Sequence, residues 1–186
     1  KELRINVFFQ SEKKLINKAK QGDKKAWLKL VEEFEKPIYH YCLRMLGNPD
    51  DAVDMLQEAF ISIYKSLDSF RFDSSFKTWA IRIAHFRCIE FYRKRKVCQQ
   101  LDDLPEPINE SDNDCPEASL FKAQGNEQVI SAMSQLPWEQ RNVIELKFFQ
   151  NYTFEQIAQQ LDVSSNTVKS RLYSALNKLK PHLEVS

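Results

Sequence analysis

Asp54, Gln57 and Glu58 stand three and four residues apart, so a helix through them sets two carboxylates and an amide on one stripe. Paired carboxylates can do general acid–base work or hold a hard cation. Here nothing completes either site: no histidine lies close in sequence, no second acidic pair accompanies them, and no catalytic signature follows. Solvated surface or a docking face uses the same residues without chemistry. Cys42, Cys88, Cys98 and Cys115 are widely spaced with no CxxC pair, and His40, His85 and His182 are equally scattered. The expectation is four reduced thiols, no metal, no cofactor and no enzyme.

The cationic residues are more informative. Between Phe76 and Cys98 lie Lys77, Arg82, Arg87, Arg93, Lys94, Arg95 and Lys96 against a single acidic residue, Glu90. Trp79, Phe86, Phe91 and Tyr92 are interleaved with them. Such mixtures hold single-stranded DNA, the cations tracking phosphates and the rings stacking on bases at about 1–3 kcal/mol each. Rings serve a core equally well, Trp79 above all, so the cations carry the inference.

Residues 154–173 have the grammar of a helix-turn-helix. Thr153 and Gln156 form a capping-box pattern. Ala158 allows two helices to approach, Ile157, Leu161, Val163 and Val168 can fill the space between them, and Asp162 tolerates the left-handed turn. The last helix then presents Asn166, Lys169, Ser170, Tyr173 and Arg171 opposite its apolar face. Amide, hydroxyl and cationic groups near a helix N-terminus suit phosphates and base edges in a major groove. A solvated face on a plain helical hairpin is the alternative; the caps, Ala158 and the one-sided charge of Lys169, Arg171, Lys178 and Lys180 favour DNA.

The elements that must position these residues are helices. With only three glycines in 186 residues, hairpins and phosphate-cradling loops have little material. Punctuation predicts a helix from about Ser11 to Gly22, a second from Asp23 to Glu35, and a third opened by Pro37 that stops before Gly47. After an Asn48-Pro49-Asp50 turn, Val53, Leu56, Phe60, Ile63 and Leu67 recur at helical spacing. A loop from Asp68 to Ser75 precedes a long helix, Phe76 to Lys96. Beyond it, Asp102, Asp103, Glu106, Glu110, Asp112, Asp114 and Glu117 accompany Pro105, Pro107 and Pro116, with no basic residue and no apolar period. Such a segment cannot offset its ordering entropy.

Further helices are expected over 126–136, from Pro137 or Trp138 to about Gln150, from Thr153 to Leu161, and from the Ser164 cap onward with Val168, Leu172, Ala175, Leu176 and Leu179 on one face. The predicted fold is all-α: two small helical domains, 11–96 and 124–184, joined by a flexible acidic linker, 97–123, with the helix-turn-helix in the second. Residues 1–10 carry no part of this expectation. The net charge of +1 hides two basic segments flanking the acidic one. No apolar run approaches the roughly 20 residues of a membrane span and no secretory signal opens the chain, so a cytoplasmic protein without membrane insertion is expected.

These stretches together resemble the extracytoplasmic-function sigma factors of bacterial RNA polymerase. Asp54-Met-Leu-Gln57-Glu58-Ala-Phe60, Leu67-Asp-Ser-Phe70 and Phe76-Lys-Thr-Trp79-Ala-Ile-Arg82-Ile-Ala84 are similar to the family's second conserved region. Leu136-Pro-Trp-Glu-Gln-Arg141, Tyr152-Thr-Phe-Glu-Gln-Ile157-Ala158 and Thr167-Val-Lys-Ser-Arg171-Leu172 are similar to its fourth. The resemblance implies that Asp54, Gln57 and Glu58 dock on the clamp helices of the polymerase largest subunit. It implies capture and melting of the minus-ten element by Ser69, Phe70, Arg71 and Phe76, with Lys77, Arg82, Phe86, Arg87, Arg93 and Lys94. Asn166, Thr167, Lys169, Ser170, Arg171, Tyr173 and Ser174 would read the minus-thirty-five element as duplex.

It further implies core RNA polymerase, promoter DNA and an anti-sigma factor as partners, in a stress or envelope response, with the acidic linker threading the basic cleft of the polymerase. Three positions depart from the family pattern: Phe86 where Asn is frequent, Ser174 where Arg is common, and Asp162 for a frequent Gly. The competing reading is a stand-alone helix-turn-helix repressor or activator that binds a palindrome as a dimer. An enzyme using Asp54 and Glu58 is a third.

Overall fold

The computed structural model describes residues 2–101 and 127–183, with side chains placed from 11 to 96 and from 128 to 180. Every regular element among them is helical. The expected linker, 97–123, with Cys98 and Cys115, lies outside the described side chains.

Four helices build the first domain: α1 (Glu2–Lys20), α2 (Lys24–Leu46), α3 (Pro49–Ser66) and α4 (Phe76–Leu101), with a short 3-10 turn at Leu67–Ser69. Side chains set most of the starts. The Asp23 carboxylate accepts from the Lys25 and Ala26 amides at 2.9 and 3.2 Å, and Asn48 accepts from Asp50 and Asp51 at 2.8 and 3.0 Å. Ser75 accepts from the Thr78 amide at 3.1 Å. Gly47, at φ 76°, ends α2 in the left-handed conformation that costs glycine least.

Pro37 does not open a helix; it lies inside α2, which runs unbroken through it. A mid-helix proline forfeits one backbone hydrogen bond and costs about 3 kcal/mol. Ile38, Leu43 and Met45 beyond it are all buried, at about 1.5–3 kcal/mol each. Burial wins, and two expected helices become one. On α3 the core stripe is Ala52, Leu56, Ala59 and Ile63, whereas Val53 is exposed. Likewise α4 continues to Leu101, past the expected start of the linker at residue 97.

The second domain comprises α5 (Glu127–Ser134), α6 (Trp138–Ile144) with a π-helical continuation at Glu145–Phe149, α7 (Phe154–Leu161) and α8 (Ser165–Leu183). Its core joins Met133, Leu136, Val143, Leu146, Ile157, Val168, Leu172, Ala175 and Leu179. Leu176, expected on that face, is partly exposed beside it.

The two domains touch. Trp138 of α6 packs into the core of the first domain and stacks on Tyr92 of α4, the ring centroids 4.7 Å apart. Arg44 at the end of α2 and Glu145 in the π segment form a buried two-point ion pair, with Nε to Oε2 at 2.5 Å and Nη2 to Oε1 at 2.8 Å.

Inside the first domain α2 meets α4 through two buried polar pairs. The Cys42 and Cys88 thiols lie 3.8 Å apart as free cysteines, and contact with Cys42 followed by burial pushes the Cys88 thiol up. The Tyr41 hydroxyl is 2.7 Å from His85 Nδ1. Burial raises the Tyr41 phenol well above its ordinary range and, with Arg82 adding to it, lowers His85 to about 4. His85 is therefore a neutral imidazole sharing one hydrogen bond with the Tyr41 hydroxyl.

A histidine of folded pKa about 4 and ordinary value 6.5 costs nothing above neutrality. Between those two values the unfolded chain binds the extra proton, so stability falls as pH drops from about 7 toward 4. The expected loss from this group is about 2 kcal/mol by pH 5. Urea unfolding of the wild type and His85→Gln between pH 4.5 and 7.5 should show a shallower acid slope in the variant; equal slopes would exclude His85 as the source.

Candidate nucleic-acid interface

On α3, Asp54, Gln57 and Glu58 are all exposed, opposite the buried stripe. They are not alone there. Val53, Ile61 and Tyr64 are also exposed, at helical spacing on the solvent side of the same helix. Trp27 supports Tyr64 from α2, with ring centroids 5.0 Å apart. Carboxylates mixed with exposed apolar side chains suit a protein partner better than bulk water. The apolar members escaped the sequence reading, which assigned Val53 to the core; their recurrence on the wrong side of the α3 stripe was the available signal. Among the described residues no cluster of three or more His, Cys, Asp or Glu is arranged to hold a metal ion.

The loop before α4 is held from outside itself. Lys20 on α1 donates to the Phe70 carbonyl at 2.6 Å, and its ammonium lies 5.3 Å from the Phe72 ring centroid. Phe72 has φ 63°, an uncommon conformation for a bulky residue. Phe70 and Phe76 are buried, packed with Trp79 at centroid distances of 5.0 and 5.7 Å. In this conformation they shape the loop and offer no face to a base, contrary to the expected placement. Ser69 and Arg71 are exposed at the loop, the Ser69 hydroxyl donating to the Ser66 carbonyl at 2.6 Å.

Along α4 the expected cations divide. Lys77, Arg82, Arg93 and Lys94 are exposed. Arg87 is engaged instead, its Nε donating to the Ser62 hydroxyl at 2.9 Å and Nη1 pairing with Glu90 at 2.7 Å. Helical periodicity puts Arg82, Phe86 and Arg93 on one stripe. The Phe86 ring is half exposed, with the Arg82 guanidinium 6.0 Å from its centroid. This juxtaposes a stacking surface and cations along one helix face.

In the second domain the turn closes as its residues require. Thr153 accepts from the Gln156 amide at 3.2 Å while the Gln156 side chain accepts from the Thr153 amide at 2.8 Å. Asp162 adopts φ 53° and ψ 50°, and Ser164 caps α8 by accepting from the Thr167 amide at 3.1 Å. Ile157, Ala158 and Val168 are buried between the helices. Asn166, Lys169, Ser170 and Tyr173 project into solvent, with Thr167 and Arg171 half-buried at the edges.

Ser174 points elsewhere: its hydroxyl accepts from Gln140 Nε2 at 3.0 Å, so it braces α8 against α6. One cation of this face was missed in the sequence. Lys147, in the π segment, lies 4.7 Å from the Phe154 ring centroid, and Lys169 lies 5.6 Å from the same ring. The Lys147 ammonium also donates to the Tyr152 carbonyl at 3.2 Å. At the start of α7, backbone and Thr153 hydrogen bonds hold the Glu155 carboxyl below its usual range, with both lysines adding to the effect.

Two family models match the chain. The Sigma-70 region 2 family matches residues 30–97, and the Sigma-70, region 4 family matches residues 126–179. The ECF RNA polymerase sigma factor SigW of Bacillus subtilis is 32% identical over 179 residues, covering 92% of this chain and 96% of the relative. The ECF RNA polymerase sigma-E factor of Escherichia coli is 30% identical over 179 residues, covering 90% and 93%. Among solved structures, the sigma factor RpoE from Bartonella quintana, in complex with the anti-sigma factor NepR, shares the fold at a TM-score of 0.68 and 21% identity, covering 87% of this chain and 99% of that one. With both conserved regions in order on two helical domains, the chain belongs to the extracytoplasmic-function sigma factors of the sigma-70 family.

Proposed function

We propose that this sigma factor carries three separate working surfaces: α3 for core RNA polymerase, the α4 stripe with its preceding loop for the melted minus-ten element, and α8 for the minus-thirty-five duplex. The observation that carries the proposal is the solvent-facing row of Asn166, Lys169, Ser170 and Tyr173 on a capped helix-turn-helix, in the same chain as a second basic helix that exposes Phe86. A duplex reader and a single-strand platform are both needed to recognise and open a promoter. The protein directs the polymerase and performs no catalysis of its own. It acts in the cytoplasm, and an anti-sigma factor restrains it in an envelope or stress response; the related Bartonella quintana fold was solved with such a partner.

Within this scheme Arg82, Phe86 and Arg93 contact the opened strand, with Arg71, Lys77 and Lys94 adding charge around it. Lys147 joins Lys169 in gripping duplex phosphates beside Phe154. Phe70 and Phe76 hold the loop in shape, Arg87 stays tied to Ser62 and Glu90, and Ser174 supports α8 from behind.

Purified core polymerase supplemented with the chain should start transcripts at specific promoters selected from genomic DNA. Tight operator binding by the free chain as a dimer, without polymerase, would point instead to a stand-alone regulator. Gln57→Ala combined with Glu58→Ala should weaken binding to core about tenfold or more while circular dichroism stays unchanged. Undiminished affinity would remove the α3 stripe from the interface.

Lys169→Ala and Lys147→Ala should each weaken holoenzyme binding to promoters of differing sequence by similar factors. Each should also reduce the slope of log affinity against log salt by about 0.9, the signature of one lost phosphate contact. An unchanged slope for Lys147→Ala would return that residue to a purely structural role on Phe154.

A further inference from the structure

The loop that leads into α4 carries Ser69 and Arg71, both exposed. Its backbone is tied locally at each end: the Phe70 amide donates to the Leu67 carbonyl at 3.1 Å, and the Ser75 carbonyl accepts from the Trp79 amide at 3.1 Å. Phe70 and Phe76 anchor it in the core against Trp79, and Phe34 packs on Phe76 at a centroid distance of 5.0 Å. Between those anchors the chain turns at Phe72, whose φ of 63° is one that a bulky side chain rarely adopts. Such a conformation persists only where its surroundings hold it.

The holding groups come from α1, 50 residues earlier in the chain. Lys20 Nζ donates to the Phe70 carbonyl at 2.6 Å and reaches the Asp68 carbonyl at 3.4 Å. The same ammonium lies 5.3 Å from the Phe72 centroid and 6.0 Å from that of Phe70, and Lys13 Nζ lies 5.2 Å from the Phe72 centroid. The Phe70 and Phe72 centroids are themselves 4.8 Å apart, so two rings and two ammoniums form one cluster. Helical periodicity puts Lys13, Ile16 and Lys20 on one stripe of α1, with Ile16 buried in the core. That stripe enters the core through Ile16 and grips the loop through the lysine on either side. Lys20 is half-buried, and removal from water strengthens the attraction of a cation for a ring.

Ser69 lies between the two carbonyls that Lys20 holds, and Arg71 lies between the two gripped rings. Without Lys20, water can reach the part-buried Phe70 carbonyl, and the domain keeps its apolar core. Phe72 loses a cation from its ring, and less then offsets its left-handed backbone. A return to negative φ redirects the chain on both sides of it, at Arg71 and at Asp73. We propose that Lys20, with Lys13 beside it, is a positioning residue for minus-ten capture: from α1 it holds Phe72 in place and thereby sets where Ser69 and Arg71 stand toward the opened strand. Only the DNA consequence rests on the proposed function; the brace itself is a property of the free protein. A direct phosphate contact by the same ammonium is the competing role, and salt separates the two. A brace leaves the number of neutralised phosphates unchanged, whereas a lost contact lowers the slope of log affinity against log salt by about 0.7 on a single strand.

Holoenzyme assembled from core polymerase and the full chain tests this on two probes: a single strand carrying the minus-ten element of a promoter selected with the wild type, and a duplex carrying its minus-thirty-five element alone. Lys20→Ala should weaken binding to the strand severalfold at an unchanged salt slope and leave the duplex unaffected. Lys20→Arg, which keeps a donor and a cation, should restore the strand. The loop itself is followed by fluorine NMR of the free chain with Phe72 fluorinated at the para position; its resonance should move toward the unfolded-chain position in Lys20→Ala and return in Lys20→Arg. Should Lys20→Ala lose helical circular dichroism, Lys13→Ala decides, since that side chain is exposed; it should shift the resonance and weaken the strand in the same sense. Undiminished strand affinity, equal losses on strand and duplex, an unmoved resonance, or a slope lower by about 0.7 overturns the proposal. A wild-type holoenzyme without affinity for the strand, with a resonance that Lys20→Ala moves and Lys20→Arg restores, leaves the brace standing and removes the minus-ten reading instead.

Discussion

A carboxylate without exposure to water governs how this molecule is put together. Glu145 has no exposed surface, and the Arg44 guanidinium comes from another domain to neutralise it. Breaking such a pair costs about 3–5 kcal/mol because one charge is left buried alone, whereas replacing both partners by packed apolar groups is often neutral. The pair therefore contributes less to stability than to selection: of all the ways two small helical domains can touch, it favours the one that brings Arg44 to Glu145. The π segment is part of that selection, since Glu145 begins it and Phe149, under the Arg44 guanidinium, ends it.

The same economy appears at the helix ends. With few glycines, the chain stops and starts its helices by side-chain acceptors at Asp23, Asn48, Ser75, Thr153 and Ser164, and by a left-handed aspartate at Asp162. Caps of this kind contribute about 1 kcal/mol each, and they fix where each functional face begins. Asn166 stands one residue into α8 because Ser164 caps it; shifting the cap by one residue would turn Lys169 by about 100° around the axis. Recognition geometry is thus inherited from local hydrogen bonds.

Local hydrogen bonds are also what a sequence displays most plainly, which explains how much was legible. The capping box, the Asp162 turn, the basic helix and the exposed row on α8 follow from residues within a few positions of one another. What stayed hidden depends on partners far along the chain. Pro37 marks a helix start unless the apolar residues after it are known to be buried. The resemblance gives Phe70 and Phe76 to the minus-ten element, but Phe34 and Trp79, distant in sequence or in the next helix, enclose them. The resemblance sets Ser174 among the minus-thirty-five residues, but Gln140 claims its hydroxyl from 34 residues away. Lys147 comes beside Lys169 only because the π segment carries it to Phe154.

The hidden residues and the legible ones therefore do different work. Short-range patterns define each domain and the face it offers. Long-range pairs such as Arg44–Glu145 and Tyr92–Trp138 define how the two domains sit against each other, which no pattern within a few positions can specify.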